Sequence, residues 1–531
     1  MPRNQMKVMM EGAAILTVAS FIAKLLSALY RIPLQNIVGD EGFYVYQQVY
    51  PIYGVAMTFA LTGFPQFLSK LVASQISPKK KQQVLQQTYP LLCLSAIGLW
   101  LLTFFFSRQL AALMGDIALQ PVIRMVSFTF LLMPPLSLYR GFFQGNFLMV
   151  PTAASQVIEQ LLRVSIILLA ALSFSHLSLT VYQTGTLAMF GSLAGGLVAV
   201  VILMYYDKKI YGINYRLSSF SIRTPVTKKF AWRFFSEGGL LALYSGLLIL
   251  FQLIDSFLVI NSLVARGDSV YGAKLAKGIY DRGQPFVQLG LVISTSLSAT
   301  FLPALTKYVV KKERKHLLSS AKTYLRVTTA IATAASLGLA LLMPYLNFAL
   351  FKDQRDLRVL TVFVFAVALL SIIQAYQSIA QSRNRFSTAF KAALAGLLIK
   401  LPATFLLTLH WGTLGASWAT ILGLMVILVV LYKSEEKAIN AFWTEQAFIK
   451  KLTKCLLAMS VILLVFLLIS GYFWNLYHSR LGALLLSLTG VALGAAVFIK
   501  TAIYWHLFSL REWLMLPLGA KLLRIGEKNE N

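Results

Sequence analysis

Apolar runs of about twenty residues, the length that crosses a bilayer as a helix, recur from one end of this chain to the other. Bounded by charges and turn residues, they predict fourteen spans. These lie near 12–33, 44–68, 86–107, 120–145, 152–174, 181–206, 234–260, 282–305, 323–350, 358–381, 387–409, 412–432, 452–474 and 481–506. The last stretch, "LFSLREWLMLPLGAKLLRIGEKNEN", is amphipathic and is predicted to lie on the membrane surface. The expected fold class is therefore an all-α polytopic membrane protein.

Charge orients the spans. The chain has 531 residues, 58% of them hydrophobic, a mean hydropathy of +0.71 and a net charge of +29. Its cations cluster in alternate short loops: Lys79, Lys80 and Lys81; Lys208 through Arg233, with Arg216 and Arg223 among them; Lys311 to Lys315; Arg383 and Arg385. The intervening loops are poorer or mixed, as in "GDEG" at 39–42 and "SHLSL" at 175–179. This is the positive-inside pattern, not a nucleic-acid footprint, and it predicts a multi-pass membrane protein with both termini cytoplasmic.

Several chemistries find no support. Cys93 and Cys455 sit in apolar runs, and His176, His410 and His478 are scattered over outer loops, so neither a disulfide framework nor a metal site is expected. No cleavable signal peptide is expected after "MPRNQMKVMMEG". No G-x-x-x-x-G-K-[ST] phosphate loop appears, which argues against self-powering by ATP. With no loop beyond roughly 30 residues there is no room for a catalytic domain, and no enzyme is expected.

An internal repeat organises the rest. Ser69-Lys70 matches Thr306-Lys307, Asp116 matches Asp353, Tyr139 matches Tyr376, Gln144 matches Gln381 and Arg163 matches Lys400, each pair 237 positions apart. Glu11-Gly12 and Glu237-Gly238 match at 226. The expected organisation is a six-helix lobe (1–207), a basic cytoplasmic linker (208–233), a second six-helix lobe (234–433), helices 13 and 14 (450–506) and the tail (507–531). Even-numbered units enter the membrane from the same side, so the lobes are parallel, with any substrate site expected between them as alternating access requires.

Ionisable residues inside spans are costly and mark function. Here they are Lys24 and Arg31, Glu159 and Arg163, Glu237 and Asp255, Asp281 and Arg282, and Lys400. Lys24 and Arg31 read either as snorkelling to opposite interfaces or as cavity cations. Glu159 and Arg163, four apart, read as a helix pair or as site residues. Glu237 sits near the cytoplasmic boundary, where it suits a helix N-terminus. Asp255 lacks a cation within a turn and requires a cross-helix partner, an ion or a proton. The surplus of cations suits an anionic cargo, a phosphate or pyrophosphate carried on something greasy.

Two segments carry a family resemblance. "FIAKLLSALYRIPLQNIVGDEGFYVYQQVYPIYGVAMTFALTGFPQFLSKLVA" (21–73) resembles the first two spans of bacterial polysaccharide exporters. "LIDSFLV" followed by "GIYDRGQPFVQLGLVISTSLSATFLPALTKY" (278–308) resembles their spans 7 and 8. Both resemble the branch of the multidrug/oligosaccharidyl-lipid/polysaccharide exporter superfamily that holds stage V sporulation protein B and the lipid II flippases. The resemblance implies a flippase for an undecaprenyl-linked sugar precursor, with essential cations on spans 1, 2 and 8. Lys24 and Arg31 match the span-1 cations, with a one-residue shift in spacing, and Arg282 matches the span-8 arginine. "GVAMTFALTG" at 54–63 lacks the span-2 arginine of the lipid II flippases.

The expected substrate-binding set is thus Lys24, Arg31, Arg163, Arg282 and Lys400, with Asp255 and Glu237 for Na⁺ or proton coupling and no other cofactor. The expected partners are a lipid-linked sugar, the membrane and cell-wall synthesis enzymes, for a protein working as a monomer. Two competing readings are a cation-coupled multidrug antiporter of the same superfamily, which would favour acidic cavity residues, and a scaffold for wall-synthesis enzymes.

Overall fold

The computed structural model describes residues 3–212, 224–476 and 479–514. Residues 213–223 of the expected linker, with Arg216 and Arg223, lie outside them, as do His478 and residues 515–531 of the tail. Among the described residues there are helices and no β-strand. Thirteen of the described helical stretches are long and apolar enough to cross a membrane. The first, Ile15–Ala73, has 59 residues. At 1.5 Å per residue that is about 90 Å, enough to cross a hydrocarbon core twice. The chain is an all-α polytopic membrane protein with about fourteen crossings.

The helices group into two compact units. Unit 1 spans Met1–Asp281 with Thr404–Gly412. Its helices are α1 (Arg3–Leu29), α2 (Arg31–Thr58), α3 (Phe64–Ala73), α4 (Pro78–Phe105), α5 (Ser107–Leu113), α6 (Gln120–Ser127), α7 (Met133–Gly145), α8 (Met149–His176), α9 (Val181–Tyr211), α10 (Lys228–Arg233), α11 (Gly239–Ser245), α12 (Leu247–Arg266) and α13 (Val270–Asp281). The span expected near 234–260 is helical throughout and is broken once, at Gly246 between α11 and α12.

The "GDEG" turn is not an open loop. Only Gly39 leaves the helical conformation, at φ 71° and ψ −174°, a region that glycine enters without steric cost. Asp40 follows it, 8% exposed, and accepts a hydrogen bond from Gln35 Nε2 at 2.9 Å. The chain therefore kinks once and re-enters the helix.

The small-residue face "GSLAGG" of α9 sets how closely that helix approaches α8. A side chain at Gly195 would collide with the Glu159 carbonyl, and one at Gly191 would crowd the Arg163 carbonyl. Close backbone approach of this kind is how apolar helices gain packing where lipid supplies no hydrophobic drive. It fixes the part of α8 that carries two candidate site residues.

Unit 2 spans Arg282–Ala403 with Thr413–Asn531. Its helices are α14 (Gly283–Val310), α15 (Arg314–Leu341), α16 (Met343–Phe351), α17 (Leu357–Phe363), α18 (Ala366–Ser382), α19 (Phe386–Trp411), α20 (Thr413–Ser434), α21 (Lys437–Asn440), α22 (Gln446–Leu476), α23 (Arg480–Tyr504) and α24 (Leu510–Leu514). The 237-residue offset reappears in the element boundaries. α6 and α17 begin at 120 and 357, α7 and α18 end at 145 and 382, and α8 and α19 begin at 149 and 386.

Candidate functional site

In unit 1 a polar ladder runs between α1 and α8. Ser20 Oγ donates to Gln156 Oε1 at 3.2 Å, and Ser27 Oγ to Gln160 Oε1 at 3.0 Å. Lys24 is exposed and shares the helical face of Ser20 and Ser27, opposite Ile15, Val18, Ile22 and Leu29. One turn further along, the chain reaches the buried end of the ladder, at Arg31.

There two guanidinium groups meet four tyrosines. Arg31 lies over the Tyr50 ring at 4.6 Å and the Tyr30 ring at 5.9 Å. Arg163 lies over Tyr53 at 4.8 Å and over the same Tyr30 at 5.2 Å. The Tyr30 and Tyr46 hydroxyls are hydrogen-bonded at 2.9 Å, and the Tyr46, Tyr50 and Tyr53 rings follow one another along α2. Arg31 is 0% exposed and Arg163 1%. Yet among the described residues none of the three Arg31 side-chain nitrogens has a hydrogen-bond partner, and neither Arg163 Nε nor the Tyr53 hydroxyl has one. Arg163 Nη2 donates to Ser27 Oγ at 3.4 Å. Buried polar atoms are almost always paired, so this concentration of unpaired donors is informative. The rings supply a favourable quadrupole, but not acceptors.

The other intramembrane charges have partners. Glu159 pairs with Arg140 at 2.7 Å, not with Arg163. Asp281 lies 2.5 Å from Lys277. Asp255 Oδ2 accepts from the Tyr280 hydroxyl at 2.9 Å. Glu237 is half-buried and pairs with Arg233 at 2.8 Å. In unit 2, Lys400 Nζ donates to Thr420 Oγ1 at 2.7 Å, and Arg282 Nη1 meets Asp353 Oδ2 at 2.8 Å. Partial burial pushes the Asp353 carboxyl up, but hydrogen bonds from the Arg355 side chain and backbone, and from Arg282, outweigh it and hold it at about 2.

The repeat also shows at these acids. Asp116 accepts from the backbone N–H of Ala118 at 3.2 Å and binds Lys274 at 2.9 Å. Asp353 accepts from the backbone N–H of Arg355 at 3.0 Å and binds Arg282. In each unit the acid closes the same short turn and holds one cation from elsewhere in that unit.

A match to the family described as "Polysaccharide biosynthesis protein" covers residues 9–309. "Uncharacterized membrane protein YabM" of Bacillus subtilis (strain 168) is 32% identical over 526 residues, 98% of this chain and 97% of that one. The chain belongs to the polysaccharide biosynthesis protein family, within the multidrug/oligosaccharidyl-lipid/polysaccharide exporter superfamily. "Lipid II flippase MurJ" of the same organism is 24% identical over 527 residues, 92% of this chain and 94% of that one. A solved structure described as "Lipid II flippase MurJ, inward closed conformation" matches with a TM-score of 0.67 at 15% identity, covering 93% of this chain and 99% of that chain. That likeness shows a shared fold.

In this family member, then, the candidate residues divide. Arg31 and Arg163 come together around Tyr30, with Lys24 on the face that leads to them. Arg282 and Lys400 have partners of their own in unit 2, and Asp255 and Glu237 have theirs in unit 1, at Tyr280 and Arg233. Arg140, Lys277, Lys274 and the tyrosines were missed by sequence reasoning. The Lys277–Asp281 spacing of four was an available signal. So was Arg140, a cation inside the apolar run 120–145.

Proposed function

We propose that this membrane transport protein is a flippase. Its cargo is an undecaprenyl-pyrophosphate-linked saccharide, with lipid II or a related wall precursor favoured, and it carries this from the inner to the outer leaflet by alternating access. The observation that carries the reading is Arg31, a fully buried guanidinium whose three nitrogens all lack an acceptor among the described residues. A pyrophosphate offers oxygens in the geometry that a guanidinium fork binds in bidentate fashion. Arg163 and the Tyr53 hydroxyl add donors beside it. Because these groups are sealed, cargo reaches them only in another state of the cycle. Support for the cargo class comes from the family description and from the relative named as a lipid II flippase.

Lys24, Arg282 and Lys400 complete the proposed binding set, with the cargo replacing the present partners of the last two. Asp255 and Glu237 are the proposed ion-coupling residues, and the protein works as a monomer alongside wall-synthesis enzymes. The antiporter reading leans on carboxylates open to an ion or drug, whereas Glu159 and Asp281 are each held by a cation.

Purified protein in liposomes, with a fluorescent undecaprenyl-pyrophosphate saccharide and an outer-leaflet quencher, tests the proposal. Wild type is expected to flip the probe and Arg31→Ala to match empty liposomes. Equal rates for wild type and Arg31→Ala would overturn it.

A further inference from the structure

α13 holds a buried ion pair that the proposed function leaves unused. Lys277 Nζ lies 2.5 and 2.7 Å from the two oxygens of Asp281, one turn on, with the residues 1% and 4% exposed. The next residue, Gly278, approaches the Asp40 carbonyl so closely that any side chain there would collide with it. α13 is thereby held against α2, the helix that opens with Arg31. Tyr280 turns its hydroxyl to Asp255, so that second carboxylate is engaged on α12. Two sealed cations, Arg31 and Lys277, thus lie on helices packed against each other, and Lys277 grips the Asp281 carboxylate.

A lysine ammonium that grips both oxygens of a carboxylate makes the contact it would make with phosphate oxygens. We propose that Asp281 is an internal stand-in for the cargo's pyrophosphate, and that Lys277 is a further pyrophosphate-binding residue which the cargo captures by displacing Asp281. The inference rests on the Arg31 reading and deepens it. In the empty protein the carboxylate spares Lys277 the cost of an unpaired buried charge. On loading, the pyrophosphate takes over that role for Lys277 while supplying Arg31 with acceptors that Asp281 does not. Asp281 thus sets how tightly cargo is held, and an overly tight grip would hinder release at the far leaflet.

The test uses the full chain in nanodiscs, with inorganic pyrophosphate and undecaprenyl pyrophosphate as separate probes. Binding and melting temperature are measured for wild type, Arg31→Ala, Asp281→Asn and Lys277→Gln. Asp281→Asn is expected to bind at least about tenfold more tightly, because an uncompensated cation then awaits the probe. It should also gain more melting temperature from the probe than wild type does. Lys277→Gln, which strands the Asp281 carboxylate, is expected to lose some melting temperature and to bind the probe several-fold more weakly. Unchanged or weaker binding by Asp281→Asn, or wild-type binding by Lys277→Gln, overturns the inference. Should Asp281→Asn fail to fold, Lys277→Gln alone decides. Loss of binding in Arg31→Ala with neither effect at α13 sinks the stand-in and keeps the flippase reading. Undiminished binding in Arg31→Ala sinks the flippase reading instead. A response to the prenylated probe alone places the contact on the lipid precursor; a response to both places it on the pyrophosphate.

Discussion

Arg140 Nη2 donates to Glu159 Oε2 at 2.7 Å with both side chains sealed, so the arginine of α7 neutralises the glutamate of α8 and leaves Arg163 without a carboxylate. Removing one member of such a pair strands the other charge, typically at a cost of about 3–5 kcal/mol. Arg140→Met is therefore expected to lower the melting temperature in detergent and the amount of protein in the membrane. The double variant Arg140→Met, Glu159→Gln should recover most of both. If the single variant melts like wild type, the pair has no structural role.

Arg31 predicts the opposite sign. Its burial without an acceptor costs several kcal/mol. The stacking on Tyr30 and Tyr50 returns about 2 kcal/mol even when desolvated. Desolvation wins, so Arg31→Met should melt no lower than wild type while losing flipping. A clear fall in melting temperature would mean that Arg31 serves the fold.

The two arginines also show what the sequence could and could not reveal. An arginine two residues before Pro33 in an apolar run is visible as an anomaly, and so is the 237-residue repeat, because both depend only on composition and spacing. Which cations keep a partner depends on contacts across tens of residues. Arg282 meets Asp353, 71 positions on, and Glu159 meets Arg140, 19 positions back. The i,i+4 spacing of Glu159 and Arg163 suggested a pair that α7 pre-empts. "GDEG" read as an exposed turn because glycine and acids favour loops. One glycine with positive φ instead carries the kink, and Asp40 folds back onto Gln35. The tyrosines at 30, 46, 50 and 53 looked like ordinary span residues, since their role exists only where Arg163 joins them from α8.

Acid should expose the Arg282–Asp353 contact. Burial tends to raise the Asp353 carboxyl, but its bonds to Arg355 and Arg282 hold it at about 2, below its ordinary 3.8. A folded-state value below the unfolded one gives stability that is fully present above about pH 4 and is lost as pH falls through 4 toward 2. Wild type should therefore lose more melting temperature than Asp353→Asn across that interval. Parallel curves would show that the contact contributes nothing.

Orientation is open to labelling. The positive-inside pattern places Lys80 in the cytoplasm and the 175–179 loop outside. Asp40 is too buried to report, whereas Leu177 is 67% exposed. With the buried Cys93 and Cys455 as background, a membrane-impermeant thiol reagent on intact cells should modify Leu177→Cys and spare Lys80→Cys. The reverse pattern would invert the topology.

The energy source turns on Asp255. A membrane potential that is negative inside favours moving an anionic cargo outward, by about 2.3 kcal/mol per charge per 100 mV. It equally favours drawing an empty, cationic site back inward. Potential alone could thus drive the cycle, and an ion site would add to it. Asp255 is 2% exposed on α12, and its Oδ2 accepts from a neutral hydroxyl, that of Tyr280. A buried carboxylate is a candidate to bind a proton or Na⁺ during the cycle. Asp255→Asn retains an oxygen for the Tyr280 hydrogen bond and removes the charge. Flipping by Asp255→Asn in liposomes is then expected to keep its response to potential and lose its response to a Na⁺ or proton gradient. Tyr280→Phe, which keeps the charge, should retain the gradient response. If wild-type flipping ignores the potential and both gradients, Asp255 couples nothing, and transport runs downhill on consumption of the cargo at the outer leaflet.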